Sequence, residues 1–89
     1  MIKVPNLEIF DEAVDRYGEK QKIVAMEEMA ELINAISKDL RGSPNPDNIA
    51  EEMADVYIML HQLETMYANK GVVMHKIYVK AKRLEERIP

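Results

Sequence analysis

Cysteine is absent from the 89-residue chain, which excludes a disulfide framework and a thiolate zinc site. Tryptophan is absent as well, phenylalanine occurs once, and aromatic residues make up 6% of the chain. With seven methionines and a hydrophobic fraction of 47%, that scarcity fits a helical core of aliphatic and Met side chains better than a sheet. No N-terminal stretch has the basic, apolar and small-residue order of a signal peptide, and no apolar run approaches the length of a membrane span. A soluble, cytoplasmic protein without membrane contact is therefore expected. A surplus of basic residues is also missing. The formal net charge of −4 argues against nucleic acid as a partner of the whole surface, because backbone affinity is built from Lys and Arg neutralising phosphates.

What the chain has is an acidic word written twice. Glu27-Glu28-Met29-Ala30-Glu31-Leu32 returns twenty-four residues later as Glu51-Glu52-Met53-Ala54-Asp55-Val56. Residues three and four apart share a helix face, so each copy sets carboxylates on one stripe beside an apolar seam. A single such cluster is usually a solvated surface. Two copies in the same phase, on helices that pack by those stripes, bring the acids toward each other. Like charges at close range cannot all ionise without a counter-charge, and a divalent cation removes the conflict. All-oxygen ligation suits Mg2+, Mn2+ or Ca2+, and Mg2+ commonly shares its site with substrate phosphates.

The rest of the chain reads as helices between clear breaks. Pro5 and Asn6 precede a short helix carrying Leu7, Ile9, Phe10, Ala13, Val14 and Tyr17, with Asn6 as cap and Gly18 as stop. From Glu19 to Leu40, Met26, Met29, Ile33, Ile36 and Leu40 advance by three and four and predict the core stripe of a second helix. Gly42-Ser43-Pro44-Asn45-Pro46 predicts a loop. A third helix capped by Asp47 or Asn48 carries Ile49, Met53, Val56, Leu60, Leu63 and Tyr67 inside, leaving Ile23, Val24, Ile58 and Met59 off the two stripes. Asn69-Lys70-Gly71 predicts its end, and a fourth helix starts near Val72 with Val73, Ile77, Leu84 and Ile88 inside. The expectation is one all-α domain over residues 1–89, an antiparallel bundle of three main helices plus a short N-terminal helix. So small a chain gains stability by association, so a homo-oligomer, dimer or tetramer, forming a four-helix-type bundle is expected.

Glu27, Glu28 and Glu31, a twenty-residue spacer, then Glu52 and Asp55 form a pattern that resembles the MazG-like all-α nucleoside triphosphate pyrophosphohydrolases. The likeness runs over roughly residues 19–69, with the fourth helix similar only in basic character. It implies Mg2+, with Mn2+ as a substitute, held by Glu28, Glu31, Glu52 and Asp55. It also implies hydrolysis of a nucleoside triphosphate to the monophosphate and pyrophosphate.

Other residues take roles around that centre. Glu27 and Glu51 lie one turn before Glu31 and Asp55, so either is placed to take a proton from water. Lys76, Lys80, Arg83 and Arg87 recur at four, three and four on the fourth helix, a stripe suited to phosphate and equally to a bundle surface. Gln62, two turns after Asp55, and Asn34, one turn after Glu31, are amides placed to read a base or ribose. His61 and His75 lack a metal-like spacing and read as solvated. Two other functions fit the same residues: a phosphoribosyl-ATP pyrophosphohydrolase with a different pocket, and a helical interaction module without catalysis.

Overall fold

The computed structural model describes residues 6–88, and every regular element among them is an α-helix. They are α1 (Glu8–Tyr17), α2 (Lys20–Leu40), α3 (Pro46–Tyr67) and α4 (Lys70–Arg87). Pro5 lies outside the described residues. Asn6 does act at the start of α1, its Oδ1 accepting the Glu8 amide at 3.1 Å. Gly18 stops that helix with a φ of 60°, a left-handed backbone that glycine adopts without a steric penalty.

The loop between α2 and α3 is Arg41 to Asn45. The cap of α3 is Asn45, not Asp47 or Asn48: its side chain accepts the Asn48 amide at 3.1 Å, while Pro46 opens the helix. Proline suits that place, since its missing donor would be unsatisfied there and its φ is already helical. The break after α3 also falls earlier than predicted. Ala68 takes a left-handed φ of 51°, Asn69 flanks α4, and Lys70 and Gly71 belong to its first turn.

The α2–α3 pair is the main packing unit, with α1 laid against both and α4 against α3 alone. Two contacts join the start of α2 to the end of α3: Gln21 Nε2 donates to Gln62 Oε1 at 2.7 Å, and Lys22 Nζ stands 4.5 Å from the centre of the Tyr67 ring. The first helix is pinned by Thr65 donating to Asp11 at 2.8 Å and by Phe10 tilted against His61 at 5.3 Å.

The seam differs from the predicted one. On α2 the inward positions are Gln21, Ala25, Glu28, Leu32 and Ala35, at spacings of four and three, with Ala25 1% exposed. The expected stripe of Met26, Ile33, Ile36 and Leu40 faces outward, and only Met29 is half-buried. On α3, Met59 is 5% exposed, whereas Met53, Leu60 and Tyr67 are exposed. Ile77 and Leu84 of α4, and Ile88 just beyond its end, are exposed too. Both α2 stripes have helical period; small alanines let two backbones approach, and the bulkier stripe stays exposed beside them. Apolar spacing identifies a face but not the neighbour that covers it. A groove of about 630 Å3 also opens among α1, α3 and α4, walled by Phe10, Tyr57, Tyr67 and Met74.

Candidate metal centre

The acid repeats meet where α2 crosses the first half of α3. Glu28 and Glu31 come from α2, Glu52 and Asp55 from α3, and each offers a carboxylate oxygen within 4.8 Å of the others. Glu28, Glu52 and Asp55 are half-buried, whereas Glu31 is exposed. On each helix the pair is three residues apart, so both members project from one side.

The electrostatics follow from that crowding. Glu28 is pushed from an ordinary 4.5 up to about 7, first by loss of solvent and then by the negative charges of Glu31 and Asp55, with Glu52 adding to them. Glu52 moves in the same direction, again by desolvation first and then by Glu31, Asp55 and Glu51. No Lys or Arg among the described residues forms an ion pair with any of the four. Oε2 of Glu28 and Oε2 of Glu52 are buried without a hydrogen-bond partner, which is costly for oxygens that carry charge. Four carboxylates, two of them with orphaned oxygens and none with a protein cation, are a donor set that fits a hard divalent ion.

No family model, curated protein or solved structure matches this chain.

The other expected site residues are placed less closely. Glu27 and Glu51 are exposed at the border of the cluster. Asn34 shares a shallow hollow on the outer side of α2 with Ala30, Glu31, Ile33 and Ser37. Lys76, Lys80, Arg83 and Arg87 are exposed on α4, which packs on α3 and not on α2, and none of them forms an ion pair with the four acids. Gln62 is buried between the helices and held by Gln21. Gln21 itself escaped the reading of the sequence. The signal was its place seven residues before Glu28, matching Gln62 seven residues after Asp55.

Proposed function

We propose that this chain is a Mg2+-dependent nucleoside triphosphate pyrophosphohydrolase, converting NTP or dNTP to the monophosphate and pyrophosphate. The observation that carries the reading is the convergence of Glu28, Glu31, Glu52 and Asp55 with two buried, unpartnered oxygens among them. These four residues would hold Mg2+ or Mn2+, and the ion when bound supplies positive charge to the phosphate oxygens. We read α2 and α3 as an antiparallel pair, since early α2 meets late α3 and the acids meet between.

The protein's own groups then have distinct tasks. Glu27 or Glu51, exposed beside the cluster, takes the proton of the attacking water as the bond between the α- and β-phosphates breaks and pyrophosphate leaves. Asn34, next to Glu31 in its hollow, is placed for ribose or base. Lys76, Lys80 and Arg83 are assigned to the departing phosphates of a neighbouring subunit's substrate, because α4 stands clear of its own α2. The homo-oligomer this requires is supported by the apolar side chains left outside on α2 and α3.

The test is a panel of ribo- and deoxyribonucleoside triphosphates, with phosphoribosyl-ATP beside them, incubated with Mg2+ and assayed for pyrophosphate. Pyrophosphate and monophosphate in equal amounts, lost with EDTA, support the reading. Product from phosphoribosyl-ATP alone narrows it to that substrate. No product from any member, with the carboxylates intact and Mg2+ bound, leaves an interaction module in its place.

A further inference from the structure

The inward side chains Ala25, Leu32 and Ala35 of α2 and Ile49, Val56 and the flexible Met59 of α3 make a seam forgiving of sliding, because a displaced apolar side chain meets another apolar side chain. The four carboxylates push the same way, since their mutual repulsion falls when the helices slip and carry them apart. Something in the seam must oppose both. Among the described residues, the fully buried side-chain hydrogen bond between α2 and α3 is Gln21 Nε2 to Gln62 Oε1, at 2.7 Å, between residues 9% and 5% exposed, with the Lys22–Tyr67 contact beside it at the surface.

The pair is matched to the acids by distance along both helices. Gln21 precedes Glu28 by seven residues and Gln62 follows Asp55 by seven, two turns or about 10.5 Å in each case. The amide layer and the acid layer therefore share one register. A slip that separates the amides strands a donor and an acceptor in a dry seam, and the same slip misaligns the carboxylates.

We propose that Gln21 and Gln62 are positioning residues whose buried hydrogen bond fixes the register of α2 against α3 and so holds Glu28 and Glu31 level with Glu52 and Asp55. A single buried polar pair setting helix register, at some cost in stability, is a known use of such groups. The consequence for the metal rests on the function proposed above, whereas the register itself does not.

The chain has no cysteine, so spin labels can be placed uniquely at Ala30→Cys on α2 and Ala54→Cys on α3, both exposed. The labelled protein is diluted into unlabelled excess in EDTA, and the distance between labels is measured by pulsed electron resonance. Parallel samples without labels are titrated with Mn2+. The variants are Gln21→Met/Gln62→Met, close in volume, and Gln21→Leu/Gln62→Leu as a second apolar pair. The native seam is expected to give one narrow distance, and both double variants a broadened or second distance. Their melting temperature in EDTA should be unchanged or raised, with Mn2+ bound about tenfold more weakly, the lower range for a supporting residue. A single, native-like distance in both variants overturns the register lock. A changed distance with native Mn2+ affinity overturns the positioning role. If the native protein binds no Mn2+ while the distances still change, the metal reading fails and the register lock stands.

Discussion

Glu28 is the residue at which fold and chemistry pull hardest against each other. Its carboxyl is raised to about 7 in the folded chain and returns to an ordinary 4.5 on unfolding, so the folded state binds the extra proton between those values. Stability from this group is thus present below pH 4.5 and is lost as the pH rises through 7; Glu52 acts in the same direction. In EDTA the melting temperature is expected to fall as the pH rises from 4.5 to about 7, the span of that titration, and Glu28→Gln to flatten the fall. A divalent ion reverses the preference, because it binds the charged form. Mg2+ at about a hundredfold excess over its Kd should stabilise the chain by about 2.7 kcal/mol, and Glu52→Gln should erase that gain in a thermal melt. Glu31→Gln and Asp55→Asn should each reduce Mg2+-dependent turnover by about 100-fold or more, since even groups behind the ligands are worth about 10–100-fold. If both retained native activity at limiting Mg2+, the carboxylates would have another task.

At the scale of the helices, the breaks were legible and the faces only in part: Ile49, Val56 and Leu63 of α3 and Val73 of α4 are half-buried as expected, whereas the face of α2 is not the expected one. Gly18, the Gly42-to-Pro46 segment and the Ala68–Asn69 break divide the chain as local backbone chemistry requires, to within a few residues. The face of α2 was misassigned because Met26, Ile33, Ile36 and Leu40 have the stronger apolar signal, while the buried stripe is written in Ala, Gln and Glu. Composition marks apolar faces, but close approach of two backbones selects small side chains. The acids were legible because repetition carried information that no single Glu carries; the amide pair was hidden in ordinary glutamines. Two changes test the local readings. Asn45→Ala should cost about 1 kcal/mol through loss of the α3 cap. Ala68→Gly should instead stabilise, since relief of about 1–2 kcal/mol of left-handed strain outweighs the roughly 0.5–1 kcal/mol entropic disadvantage of glycine, and a calorimetric scan would show the rise.

In the whole molecule, the apolar surface is unevenly covered. Ile33 is 68% exposed and Leu40 81% on α2, and Met53, Tyr57 and Leu60 are exposed on α3. A second copy is the expected cover. Ile33→Glu should shift light scattering at micromolar concentration toward the monomer, and mixing Asp55→Asn with Arg83→Ala protein should restore activity that neither has alone if α4 serves a neighbouring site. A monomeric, fully active native protein would sink both expectations. The helix assigned to that exchange is also the one least tied to its own chain, since α4 packs on α3 alone. Opening of α4 is therefore expected to leave the α2–α3 seam intact and to give the molecule two clocks: amide protons of α4 should exchange with solvent first, while those around Ala25 and Met59 wait for global unfolding.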